Sequence, residues 1–189
     1  MSVKPIEETE TGRVERPATV KVWDPFVRVF HWSLVVLFAL AWATEDLQAV
    51  HQPLGYAIFL LVALRIGWGF VGSPHARFAD FIRSPWATVA YARGLLTGAA
   101  PRHLGHNPVA GVMVLALLTM LVATGASGWL ITAEGFRDAE WLEELHEALA
   151  SLTLALVVVH VLAVLAMSVL HGENLVKAMI TGRKQRLRR

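Results

Sequence analysis

His146 and His160 bracket thirteen residues, EALASLTLALVVV, that contain no proline, glycine or basic side chain. On a helix, fourteen steps of about 100° return the second imidazole to within roughly 40° of the first, and fourteen rises of about 1.5 Å place it about 21 Å further along the axis. An ionisable ring inside a hydrophobic helix is costly without a partner. Two such rings on one face, at different depths, point to two ligand sites stacked across a bilayer. Neutral imidazoles facing each other across a helix bundle suit the two axial positions of a haem iron, whose other four positions belong to the porphyrin. Ligation of that kind leaves no open position and favours electron transfer over oxygen binding. Zinc fits less well, because a zinc site gathers three or four protein ligands at one point, whereas these histidines come in twos.

The elements that must position the rings follow from composition and hydropathy. The chain has 189 residues, 55% hydrophobic and 17% charged, with a mean hydropathy of +0.50. A soluble domain carries about a quarter charged residues, so the deficit indicates lipid as the solvent and a single bundle. There is no cysteine, which removes disulfides, thiolate metal sites, iron–sulfur ligation and covalent c-type haem attachment. Residues 1–22 read as a flexible polar tail without a signal peptide. The basic residues lack the folded polar surface with interleaved aromatics that nucleic-acid binding requires.

The expected fold is an all-α integral membrane protein: a four-helix transmembrane bundle over 23–176, with a basic tail over 177–189. Asp24-Pro25 starts the first span, Phe26 to about Ala43. An acidic turn (44–48) leads to a second span from about His51 to Val71, interrupted only by Arg65. Residues 72–106 mix Arg77, Arg83, Arg93 and Arg102 with Phe78, Phe81, Trp86 and Tyr91, as in an interfacial helix, broken and restarted at Ser84-Pro85. Asn107-Pro108 opens the third span, to about Ile131. An acidic loop (132–144) precedes the fourth, His146 to about Leu170. Glu45, Asp46, Glu134, Asp138, Glu140, Glu143 and Glu144 follow spans one and three, while nearly all the Lys and Arg beyond residue 70 lie after span two and in the C-terminal tail. The positive-inside rule then puts both termini in the cytoplasm.

This topology fixes depth. His51 and His146 both begin spans at the acidic side. His160 lies about 21 Å further in, and His31, some fifteen residues before the acidic turn, lies roughly 22 Å below the same edge. Two level pairs result, His51 with His146 and His31 with His160. Each lone histidine also has a plain reading as an interfacial residue bonded to headgroups or backbone. That reading is preferred for His75 and His103; His171 reads as an interface residue, with a ligand or quinone-site role as the alternative, and the roles of His106 and His171 stay open. Arg65 stands fourteen residues after His51 and so reaches the depth of the inner pair. A charge there needs a counter-charge, such as a haem propionate or a quinone oxygen; snorkelling to headgroups is the alternative. The third span brings no level histidine but has Gly111, Gly125 and Gly128, which permit close approach of a helix or a flat macrocycle. Met113 and Met120 share a face and read as packing.

The stretches VWDPFVRVFHW (22–32), HQPLGY (51–56) with LRIGWG (64–69), LGHNPVAG (104–111), and HEALA (146–150) ending in VVVH (157–160) resemble the bacterial four-helix cytochromes b of the b561 type, which include the b-type subunit of nickel–iron hydrogenases. The likeness covers about residues 20–180. It implies two bis-histidine haems b, with His31, His51, His146 and His160 as axial ligands, and electron exchange between the quinone pool and a redox partner. That partner would be a hydrogenase-like subunit or a periplasmic cytochrome c, in the inner membrane of a bacterium.

Two other functions fit the same sequence. One is a self-contained quinone-linked oxidoreductase such as a superoxide oxidase, although acidic exterior loops give an anion no reason to approach. The other is a haem-free membrane anchor. Phe78, Phe81, Trp86 and Arg77 are expected either to shape a quinone or partner surface beside Arg65 or to anchor the loop in the interface.

Overall fold

Asp24 caps the first helix in the computed structural model, which describes residues 19–186. Its Oδ1 accepts from the Val27 N–H at 2.9 Å, and Pro25 occupies the first turn, where no N–H is needed. In chain order the elements are β1 (Thr19–Lys21), α1 (Pro25–Ala43), α2 (Gln48–Val71), α3 (Phe78–Phe81), α4 (Pro85–Leu96), α5 (Pro108–Ile131), a single 3-10 turn at Glu134–Phe136, α6 (Glu140–Leu170), α7 (Leu175–Thr181) and β2 (Arg183–Gln185). Among the described residues, helices α1, α2, α5 and α6 are the four long and apolar enough to cross a membrane, with mean hydropathies from 1.8 to 2.6. Their outward Val and Leu side chains are exposed, Leu60 at 61% and Leu162 at 60%, which suits a lipid solvent.

The caps read from sequence recur at the starts of α1, α4 and α5. Asn107 accepts from the Ala110 N–H at 2.8 Å to open α5, and Ser84 accepts from the Ala87 N–H to restart the interfacial stretch as α4. The fourth span begins earlier than its hydropathy indicates. Residues 140–144, expected in the acidic loop, form the first turns of α6. Glu140 and Glu143 there face the positive end of the helix dipole, where acidic side chains stabilise a helix.

The spans pack in series, α1 on α2, α2 on α5 and α5 on α6. Their core joins Phe30 and Ala41 of α1, Ile58 and Val62 of α2, and Leu118 and Leu121 of α5. Helix α6 contributes nothing to that core and, among the described residues, buries only Leu142 and Thr153. The flank of α6 beyond α5 is therefore not committed to side-chain packing.

The two ends of the described chain meet. Strands β1 and β2 pair antiparallel with Val20 opposite Lys184, and the Val22 and Trp23 N–H groups both donate to the Gly182 carbonyl. Gly182 has φ of 76°, and a Cβ there would lie 2.7 Å from the Trp23 carbonyl oxygen, so the turn into β2 needs glycine. Residues 1–18 of the expected N-terminal tail and residues 187–189 of the basic tail lie outside the described residues. Residues 19–21 and 175–185 are ordered as the ribbon and α7. Both ends therefore leave the bundle on one side, here called the basic end. The 44–47 turn and the 132–139 loop mark the acidic end.

Candidate functional site

At the acidic end, His51 near the start of α2 and His146 in the first turns of α6 face each other with ring centroids 6.2 Å apart and planes at 87°. The His51 Nδ1 lies 2.9 Å from the Ala41 carbonyl. The His146 Nδ1 lies 3.1 Å from the Thr124 carbonyl and 3.0 Å from Ser127 Oγ, whose own hydroxyl donates to Thr124. A carbonyl can only accept, so in each neutral ring the proton sits on Nδ1 and the lone pair on Nε2. These are the bonds that fix a metal-ligating histidine in its tautomer. The spacing also fits: two metal–imidazole bonds of about 2 Å, with roughly 1 Å from each nitrogen to its ring centre, give about 6 Å between centroids. The residues present therefore suit a bis-histidine metal centre.

Small residues on α5 make room for this arrangement. A Cβ on Gly128 would stand 2.9 Å from Cε1 of His146, and one on Gly125 would stand 2.6 Å from the Phe59 ring. The Thr124 hydroxyl meets that of the fully buried Thr153 at 3.2 Å, tying α5 to α6 one layer deeper.

Deeper in the bundle, His31 on α1 and His160 on α6 lie close enough for the charge of one to be felt at the other. The His31 Nδ1 is buried without a hydrogen-bond partner. Its immediate neighbour Trp32 stands edge-on at 5.1 Å between ring centroids. The structure thus brings the inner pair to one region. Unlike His51 and His146, these two rings have, among the described residues, no protein hydrogen bond that fixes their tautomer.

Arg65 points inward as its spacing predicts and is 3% exposed. Its Nη2 donates to the Ala76 carbonyl at 3.0 Å, its guanidinium lies 5.6 Å from the Phe78 ring centre, and its Nη1 is buried without a partner. Asp24 supplies a nearby negative charge. That carboxylate also accepts from Ser73 Oγ and, at 3.2 Å, from Trp68 Nε1, which joins the start of α1 to the end of α2. Burial raises the Asp24 carboxyl, but the bonds from Ser73, Val27 and Trp68 outweigh it and hold the group below its ordinary 3.8.

At the basic end two residues, Lys184 and Glu173, escaped the sequence reading, and His106, left open there, gains its surroundings. Lys184 on β2 is 7% exposed and lies 5.6 Å from the Trp23 ring. Burial lowers its ammonium, against the opposing pull of Glu173. Glu173, also 7% exposed, receives Arg102 at 2.5 Å and the Gln185 N–H at 2.6 Å. His106 is held between Trp23 and Phe81, with centroids at 4.7 and 4.9 Å, and its Nδ1 has no partner. Burial, with the charges of Arg65 and Lys184 nearby, pushes His106 down to about 3. A cleft of about 300 Å³ opens beside it, lined by His75, Asp80, Arg83 and Arg102. The one available signal for His106 was its position directly before the Asn107 cap.

The aromatic–basic set of the loop divides. Phe81 is 2% exposed and Phe78 packs on Arg65, whereas Trp86 is 83% exposed on the outer side of α4 and Arg77 pairs with Asp80 at the surface. His75 takes a left-handed backbone, φ 71°, in the turn after α2.

A family model described as prokaryotic cytochrome b561 matches residues 22–182. A protein of Bradyrhizobium diazoefficiens named a probable Ni/Fe-hydrogenase B-type cytochrome subunit is 23% identical, over 91% of this chain and 88% of the relative. One of Azotobacter chroococcum with the same name is also 23% identical, over 77% of this chain and 73% of that protein. No solved structure matches.

Proposed function

This chain belongs to the prokaryotic cytochrome b561 family, and from that premise we propose that it moves electrons across the bilayer between a quinone and a protein redox partner. Membership makes it a multi-pass membrane protein and a b-type cytochrome of electron transfer, with haem b as prosthetic group. The finer reading is two haems, one between His51 and His146 and one between His31 and His160. The observation that carries it is the facing of His51 and His146 at 6.2 Å with both Nδ1 atoms occupied by carbonyls.

When bound, the haems supply one-electron transfer. The remaining work falls to the chain. The Ala41 and Thr124 carbonyls and Ser127 orient the outer imidazoles, and α5 yields space for them at Gly128. Arg65 brings a fixed positive charge to the inner level. Quinone exchange is assigned to the basic end, where Arg65, Phe78 and Phe81 pack together; Trp86, directed outward, is assigned to the lipid interface. The positive-inside rule places the basic end in the cytoplasm and the chain in the bacterial inner membrane. The relatives' names support a hydrogenase-like subunit as the partner, with a periplasmic c-type cytochrome as the other candidate.

Haem content of the purified protein tests the assignment. The native chain should carry two haems, and His146→Ala and His31→Ala should each carry one. Two haems retained in either variant rejects the corresponding pair.

A further inference from the structure

The polar floor beneath the inner pair holds more positive charge than the protein neutralises. Arg28, Arg65, Arg102 and Lys184 stand at this end with the carboxylates of Asp24 and Glu173, while Asp80 of the neighbouring cleft is paired with Arg77. Arg102 is matched directly by Glu173. Asp24 accepts from Val27, Ser73 and Trp68 and makes no direct ion pair with Arg65 among the described residues. Among the described residues two guanidinium atoms are left buried and unpartnered: Nη1 of Arg65, and Nε of Arg28, whose Nη2 reaches the Ile180 carbonyl. Arg28 stands one helical turn from His31 toward the basic end, on the same side of α1. Lys184 is brought in by β2 and stacked on Trp23, which in turn packs on His106. A buried guanidinium nitrogen without an acceptor is costly, so each of these two atoms calls for an anionic oxygen at this level.

We propose that this floor seats the two propionate carboxylates of the inner haem, with Arg28 and Arg65 donating to them and Lys184 supplying a third cation from the C-terminal strand. The inference rests on the His31–His160 haem of the preceding subsection. It makes the chain's ends part of the cofactor site, because Lys184 is delivered by the pairing of Val20 with Lys184 and by the Gly182 turn. A lipid phosphate would offer the same anionic chemistry, so the test separates the two sources.

Haem-depleted full-length protein is titrated with haem and with haem dimethyl ester, which lacks the carboxylates, for the native chain and for Arg28→Gln, Lys184→Gln and Lys184→Arg. The glutamine variants should bind haem at the inner site about tenfold more weakly or worse, the size expected for one charge-assisted hydrogen bond. They should bind the ester as the native chain does, and Lys184→Arg should bind haem normally. In redox titrations both glutamine variants should also lower the inner haem's midpoint potential and leave the outer one unchanged, because a lost cation favours the oxidised iron. Equal weakening for haem and ester, or no weakening for either, overturns the proposal and leaves a lipid phosphate or a purely structural floor. Two haems retained in His31→Ala would instead overturn the underlying haem assignment.

Discussion

Gly128 and His146 occupy adjoining space on α5 and α6, so that a single methyl added to the glycine would sit 2.9 Å from Cε1 of the imidazole. The neighbour that must yield is a ring already held by Thr124 and Ser127. Gly128→Ala gains about 1 kcal/mol of helix propensity, so the helix itself should not suffer. The expected outcome is a chain that inserts and folds but loses, or shifts the spectrum of, the outer haem alone. Optical spectra and haem content check it, and Gly55→Ala, which meets nothing within 4 Å, is the control.

Ser127→Ala removes one of the two acceptors at the His146 Nδ1 and leaves the Thr124 carbonyl. The fold should lose about 1 kcal/mol, the net worth of one hydrogen bond. Weaker support at Nδ1 makes the imidazole a poorer donor to iron, so the outer haem's midpoint potential should move while the inner one stays put. A redox titration that resolves the two haems reads this directly.

Asp24→Ala deletes an N-cap, worth about 1 kcal/mol, together with the bonds from Trp68 and Ser73 that join α1 to α2. Unfolding in detergent should start at lower denaturant, and Asp24→Asn should recover part of the loss. The acid response has a fixed sign. The folded carboxyl lies below its ordinary 3.8, so its contribution is complete above that value. The contribution fades as pH falls through the folded value, and the Ala variant should lack this acid-dependent component.

His106 gives a second pH signal in a different window. Its folded value is about 3 against an ordinary 6.5. The unfolded chain therefore takes up a proton first, and stability present above pH 6.5 declines steadily toward pH 3. His106→Phe keeps the contacts with Trp23 and Phe81 and removes the titrating ring. Its stability should be flatter over that range in denaturant melts at stepped pH.

The spans were legible because lipid enforces long apolar runs, and the caps at Asp24, Ser84 and Asn107 were legible because capping is local chemistry. The closeness of His51 and His146 could be anticipated from helical periodicity together with depth, two properties that survive without coordinates. What could not be read is whatever depends on which helix lies opposite. Thr124 and Ser127 look like ordinary polar residues of a span until α5 packs on α6. The β1–β2 ribbon escaped because three-residue strands, Thr-Val-Lys and Arg-Lys-Gln, show no period, and their pairing joins opposite ends of the chain. Lys184 and Glu173 looked like solvated charges for the same reason. The early start of α6 at Glu140 was hidden by acidic residues that hydropathy assigns to a loop and the helix dipole welcomes.

With Thr19 hydrogen-bonded beside Gln185, the polypeptide runs as a nearly closed circuit. A domain spliced to the front and a domain spliced to the back must therefore emerge in the same compartment, and a reporter attached to one end is a direct reading of the side on which the other lies.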